Sequence, residues 1–141
     1  MSSGHEIAMC FQFLYATLSG DSTLSGYAPG GIHRGVAPIG ASTPFVVMSL
    51  QSTTDTLTAN AYRILTKALF QVRATGPASN TAGLANAASR IDALLKLTSG
   101  AVTGGLIFSC YRDGAVFTDE IVDGDLWSNV GGMYAIEIQQ T

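Results

Sequence analysis

Apolar residues in 4–20 recur at steps of three and four, which is the period of one face of an α-helix. The members of this stripe are Ile7, Cys10, Phe11, Leu14 and Leu18. The stretch 77–100 has the same period, with Ser79 or Asn80 placed to cap it and Gly100 placed to close it. The pattern therefore predicts two amphipathic helices.

Five other stretches have the short period or the apolar character of β-strands. They are residues 32–36, 44–52, 61–76, 105–113 and 131–140. The stretch 61–76 alternates between an apolar side and a basic side, so it predicts a long strand with one buried face. We expect 51–60 to form a polar hairpin link and 114–125 to form an acidic loop. This order predicts one α+β domain over 1–141, a mainly antiparallel sheet with two helices packed on one face.

The amino-acid composition indicates that much of the protein surface carries few charges. Hydrophobic residues make up 47% of the 141 residues and charged residues 12%, about half the usual charged fraction. The surface must be covered by small polar residues or by other subunits. The formal net charge of -3 argues against a broad basic face that wraps nucleic acid.

The charges are sorted along the chain. The bases between residues 34 and 96 are Arg34, Arg63, Lys67, Arg73, Arg90 and Lys96. The acids between residues 113 and 125 are Asp113, Asp119, Glu120, Asp123 and Asp125, with no base among them. Two interpretations are open: two solvated faces, or a head-to-tail contact in which one copy presents bases and the next presents acids.

Residues with reactive side chains form no catalytic or metal-binding pattern. The stretch "GDSTL" resembles the nucleophile block of one class of esterases, but no histidine follows it as a base, so we expect Asp21 and Ser22 to cap a short helical turn. The histidines and cysteines lack metal-ligand spacing. The two cysteines are expected to be buried thiols, although the sequence leaves a disulfide between them open. We expect no cofactor and no metal.

No stretch of about 18 apolar residues could span a membrane, and no leader pattern precedes the first helix. We therefore expect a protein made in a cytoplasm, without a membrane partner.

The whole arrangement resembles a known family of virion proteins. In order, it has a first helix "FQFLYATLSGDSTLSGYAPGGI", a short strand leading through Ala-Pro into a Pro-initiated strand in "HRGVAPIGASTPFVVMSL", and a long strand "RILTKALFQVRATG". The helix "ASRIDALLKL" follows, then Tyr111, an acidic link and a last amphipathic strand. From about residue 7 to 139, this order is similar to the tail terminator, or tail completion, proteins of long-tailed bacteriophages. The Gly-rich insert "TSGAVTGG" and the longer acidic loop depart from shorter members.

The resemblance implies a ring, usually of six subunits, that caps the tail tube, stops its polymerisation and joins the tail to the neck below the head. The implied partners are other copies of the chain, the tail tube protein, a neck or head-completion protein, and DNA that passes without sequence-specific contact. The implied location is the tail–neck junction of a virion made in a bacterial cytoplasm. The family has no catalytic residues to carry over.

Two surfaces are candidates for contacts in such a ring. The loop 36–43 is apolar and stiffened by Pro38, so it loses little entropy on docking, and we expect Val36, Pro38 and Ile39 to face a neighbour or an axial partner. The second candidate pairs bases of one copy with acids of the next. Its residues are Arg63, Lys67, Arg73 and Arg90 on one side, and Asp119, Glu120, Asp123 and Asp125 on the other.

Other classes of protein remain as alternatives. A head-closure or adaptor ring of the same neck would share the low charge and the α+β pattern. A small hydrolase would use Ser22, and a ligand-binding module would hold a small molecule against the sheet.

Overall fold

The computed structural model describes residues 5–57, 63–96, 98–102 and 105–140. The helices are α1 (Glu6–Ser19), α2 (Ser22–Tyr27) and α3 (Thr81–Leu95), with one 3₁₀ turn (Ala78–Asn80) before α3. The strands are β1 (Ile32–Arg34), β2 (Phe45–Leu57), β3 (Arg63–Pro77), β4 (Thr98–Val102), β5 (Gly105–Val122) and β6 (Asp125–Gln140).

The described strands form one curled, six-stranded sheet in the order β1-β2-β3-β6-β5-β4. β1 pairs with β2 in parallel, and every other pair is antiparallel. The two long helices pack against this sheet, which confirms the predicted α+β class. None of the described helices packs on the opposite face of the sheet, which we call the open face.

The core lies between the helices and the sheet because the apolar stripes of both point into it. Ala68, Phe70 and Val72 of β3 are fully buried on the helix side, as the alternation predicted. The ring of Phe11 meets that of Phe70 edge-on at 5.0 Å between centroids. Phe13 lies off the predicted stripe of α1, yet it is buried too.

Short-range side-chain contacts cap the first turns of α1 and α2, whereas Asn80 precedes α3 without a side-chain cap hydrogen bond. The Ile7 amide donates to His5 Nδ1 (3.2 Å), which caps α1, and Gly20 follows its last turn. Asp21 caps α2 by accepting from the Leu24 amide (2.8 Å), so the predicted helical turn is confirmed and extends over six residues. The prediction that Gly100 closes the second helix is wrong. Lys96 already has an extended backbone (ψ 131°), and the chain turns there into β4.

The acidic segment is a pair of strands, so the prediction of a loop at 114–125 is wrong. β5 and β6 stay paired from Gly105↔Gln140 to Val122↔Asp125. The turn between them is Asp123-Gly124, and both residues have positive φ (50° and 83°), which is the geometry of a tight hairpin. We call residues 113–128 the arm.

The polar segment after β2 also differs from its prediction. Residues 51–57 continue β2 as a strand, although their side chains are exposed. Thr53, Thr54 and Thr56 are β-branched, which favours extended backbone even without burial. The rest of the predicted link, 58–60, lies outside the described residues.

Candidate interface surfaces

The loop and the arm face each other across one end of the open face. Residues 35–43, which we call the loop, line one side of a cleft of about 850 Å³. Glu120, Val122 and Asp123 of the arm line the other side. The floor includes Phe45 and Trp127, whose ring centroids are 6.2 Å apart. The cleft therefore brings together six of the sequence-predicted residues: Val36, Pro38, Ile39, Arg73, Glu120 and Asp123.

The loop is fixed at both of its bends, yet its apolar side chains stand in water. The Gly35 amide donates to the Met48 carbonyl (2.9 Å), and the Ala41 amide donates to the Pro38 carbonyl (3.1 Å). Val36 is 81% exposed and Ile39 is fully exposed. A preformed loop that shows two apolar side chains has the properties of a contact surface.

Arg73 belongs to a polar network at the base of the arm. Its guanidinium donates to Asn129 Oδ1 (3.1 Å) and to Gln71 Oε1 (2.8 Å). Asn129 in turn donates to Glu120 Oε1 (3.2 Å) and accepts from the Thr75 hydroxyl (2.7 Å). Burial lowers the pKa of Arg73, while the nearby Glu120 charge raises it. Arg73 and Glu120 therefore serve the same network within one chain.

Arg90 is also used within the chain. Its guanidinium donates to both carboxylate oxygens of Asp21, at 2.8 and 2.7 Å, and so ties α3 to the start of α2. This hydrogen bonding, together with the amide of Leu24, lowers the pKa of Asp21 to about 2. Arg90 lies on the helix side and not in the cleft.

The other predicted bases lie along β3. Lys67 is exposed on the open face, with its ammonium 5.7 Å from the centre of the Tyr111 ring, and this contact raises its pKa. Arg63 begins β3, and its side chain lies outside the described residues. Of the acids, Asp119 accepts from the Ser128 hydroxyl (2.6 Å), and Asp123 and Asp125 flank the exposed tip of the arm.

Sequence reasoning missed the outer surface of the arm. Alternation places Val122 and Glu120 toward the cleft and Phe117 and Ile121 on the other side of the same two strands. Phe117 is 59% exposed, Ile121 is 68% exposed and Leu126 is 50% exposed. We call Phe117, Ile121 and Leu126 the outer patch. The signal for it was weak, because Asp119 lies between Phe117 and Ile121 on that side of the strand and interrupts the apolar alternation.

A second groove, missed in the sequence, lies between α1 and β1. Its volume is about 610 Å³, and its lining includes Phe11, Tyr15, Ile32, Arg34 and Met48. The Arg34 side chain is exposed, and its guanidinium lies 5.2 Å from the centre of the Phe11 ring. The groove thus combines an apolar wall with a positive rim.

In the part of the chain that the structure describes, no histidine is hydrogen-bonded to Ser22 and no metal-ligand cluster forms. The described hydrogen bonds of the two histidines join His5 to the Ile7 amide and His33 to the Gly30 carbonyl, and neither reaches Ser22. Over residues 5–57, 63–96, 98–102 and 105–140, no group of three or more potential metal ligands comes together. Cys10 and Cys110 are free and buried, which raises the pKa of each thiol to about 12.

Within the described part of the chain, no helix is both long enough and apolar enough to cross a membrane.

Comparisons with known proteins reveal a similarity at the level of fold. No protein-family model and no curated protein sequence matches the chain. Its fold is similar to that of a chain in the "Virion of native gene transfer agent (GTA) particle", with a TM-score of 0.74 and 14% sequence identity. The similarity covers 96% of this chain and 99% of the other. The two proteins therefore share a fold along their whole length.

Proposed function

We propose that this chain is a structural protein of a phage-like virion, and that its role is tail termination. In this role, copies of the chain form a ring on the last ring of the tail tube, stop further polymerisation and offer a surface to the neck. The observation that carries the proposal is the fold similarity to a chain of a virion particle. This similarity covers nearly all residues of both chains. The sequence resemblance to tail terminators supports the finer role.

The surfaces of the molecule support an assembly role over a catalytic one. Two large apolar side chains of the loop and three of the outer patch are half or more exposed, in a chain with only 12% charged residues. Such surfaces are typical of proteins that are covered by partners. The partners we propose are further copies of the chain, the tail tube protein and a neck protein, with DNA passing through the ring without sequence-specific contact.

The loop and the charged residues have proposed places in this ring. Val36, Pro38 and Ile39 face a neighbouring copy or an axial partner. Asp123 and Asp125, at the exposed tip, are the acids that we assign to the contact between copies. Because Arg73 and Arg90 already bind acceptors in their own chain, the partner base must come from elsewhere on the surface.

The test is to inactivate the gene in the source particle and to measure tail lengths by negative-stain electron microscopy. Tail termination predicts abnormally long tails that do not join heads, with normal length restored by a second copy of the gene. Tails of normal length beside filled heads would assign the chain to another ring of the neck. Intact particles would contradict the assembly role altogether.

A further inference from the structure

Two groups of exposed apolar side chains lie at separate places in the described part of the fold. One is the outer patch of the arm, with Phe117, Ile121 and Leu126. The other surrounds the α1–β1 groove, where Tyr15 is 53% exposed and Val36 is 81% exposed. Each place therefore presents exposed apolar side chains that another surface can cover. Further exposed apolar residues lie outside these groups, namely Tyr27, Ile39, Leu50, Leu57, Leu106 and Phe108.

The charges at these two places are opposite. The arm carries Asp119, Asp123 and Asp125 and has no base between residues 113 and 125. The groove carries Arg34, whose described contact is with the Phe11 ring and not with a carboxylate. The arm combines exposed apolar side chains with acids, and the groove combines an apolar wall with a positive rim. The two surfaces are therefore complementary.

The two places cannot meet within one chain. β1 is one edge of the sheet, and the arm is formed by strands at the other side of the order β1-β2-β3-β6-β5-β4. Although the curl brings the inner side of the arm toward the loop, the outer patch lies on the opposite side of the arm and points away from it. The outer patch of one chain can therefore fill the groove of another chain only.

We propose that the outer patch of each copy docks in the α1–β1 groove of the next copy, with the acidic tip of the arm beside Arg34 of that copy. This proposal rests on the proposed function, because it specifies the contact that holds the ring together. A contact between two different surfaces of the same chain repeats head to tail, which closes into a ring when the rotation permits. The occupant of the groove is thus a second copy and not a small ligand.

The experiment is cross-linking of engineered cysteines by a short bismaleimide in the assembled protein. Tyr15→Cys places a thiol in the groove, and Ile121→Cys places one in the outer patch. The native Cys10 and Cys110 are fully buried and do not compete for the reagent. The double variant should give a ladder of cross-linked species that ends at the full ring, whereas a mixture of the two single variants should stop at dimers.

The matched control replaces the arm thiol by one on another exposed apolar residue. Leu57 is 56% exposed, close to the 68% of Ile121, but it ends β2 and is not part of the arm. Tyr15→Cys combined with Leu57→Cys should give no ladder. If this control gave a ladder and the Ile121 variant gave none, the docking proposal would be wrong. The proposal that the chain forms a ring would still stand.

The electrostatic part of the contact is tested by exchanging charges. Arg34→Asp alone, or Asp123→Arg with Asp125→Arg, should weaken association between copies by about tenfold or more. Combining the exchanges should restore part of the loss. Circular dichroism checks that each variant is folded, and no restoration in folded variants would contradict the pairing.

The same measurements separate this proposal from the proposed function. A ring that is visible by electron microscopy but lacks the Tyr15–Ile121 cross-link contradicts only the docking mode. A chain that never associates with itself, in solution or in particles, contradicts both the ring and its contact.

Discussion

β5 and β6 are paired along nearly their whole length, but the two halves of this ladder lie in opposite environments. In the half under the helices, Ile107, Cys110, Tyr134, Ile136 and Ile138 are at most 1% exposed. In the arm, the outer patch is 50–68% exposed. The same alternation thus fills the core in one half and leaves an exposed apolar surface in the other.

The charges differ between the two regions in the same way. On the helix side, Asp21 binds Arg90 through two hydrogen bonds, and the Tyr134 hydroxyl donates to Asp92 Oδ1 (3.1 Å). At the tip of the arm, Asp123 and Asp125 are exposed. The covered region thus pairs its carboxylates within the chain, whereas the carboxylates at the tip of the arm are exposed.

The largest expected effect is on the covered half of the ladder. Ile136→Ala removes buried methyl groups and leaves a cavity, so it should lower the free energy of unfolding by about 2–5 kcal/mol. Ile121→Ala in the arm should change it by less than about 0.5 kcal/mol. Urea denaturation of both variants measures the difference. Equal losses would mean that the arm is part of the core of the single chain.

A smaller effect is expected at the turn of the arm. Gly124 has φ 83°, which side-chain-bearing residues rarely adopt, so Gly124→Ala should cost about 1 kcal/mol in the free energy of unfolding. Gly114 lies in the same hairpin without positive φ, and a Cβ there would meet open space. Gly114→Ala is therefore the matched control and should not be destabilising. A harmless Gly124→Ala would contradict the tight turn.

A pH dependence of stability that is confined to the acid range is expected from the ion pair of the covered region. The pKa of Asp21 falls from its ordinary value of 3.8 to about 2 on folding, so its contribution is complete above 3.8 and is lost as the pH drops toward 2. Asp21→Asn should therefore flatten the stability–pH curve in this window. Asp125→Asn serves as the comparison for an exposed carboxylate. Parallel curves for the wild type and Asp21→Asn would contradict the pairing with Arg90.

The smallest effect on stability is expected in the loop, together with a large effect on assembly. Val36, Pro38 and Ile39 are exposed, so replacing all three by serine should leave the urea midpoint of the monomer nearly unchanged. The same variant should fail to cap tails in the complementation assay. A large drop in the urea midpoint would mean that the loop stabilises the core of the monomer.

The two long helices and the buried face of β3 could be predicted from the sequence. The three- and four-residue steps located α1 and α3, and the alternation in 61–76 identified the buried face of β3, because burial imposes a strict period on side chains. The class α+β follows from these elements and is confirmed. Phe13 lay off the predicted stripe because α1 is buried over more than one narrow face.

The sequence pattern did not predict the arm or β4 as strands, and the physical reason differs between the two. In the arm, the acids dominated the composition and concealed both the alternation and the Asp-Gly signal for a tight hairpin. β4 has the composition of a turn, with Gly100 at its centre, and it is a strand because β5 offers it an unpaired edge. The cleft and the α1–β1 groove could not be predicted, because each joins residues that are distant in sequence through the curl of the sheet.

The most direct test of the central claim is averaged electron cryomicroscopy of the tail–neck region in intact particles. We expect one ring of this chain at the head-proximal end of the tail tube, with the arm of each copy against the α1–β1 groove of the next. Density for the chain at any other position in the particle, or arms that contact no neighbouring copy, would contradict it.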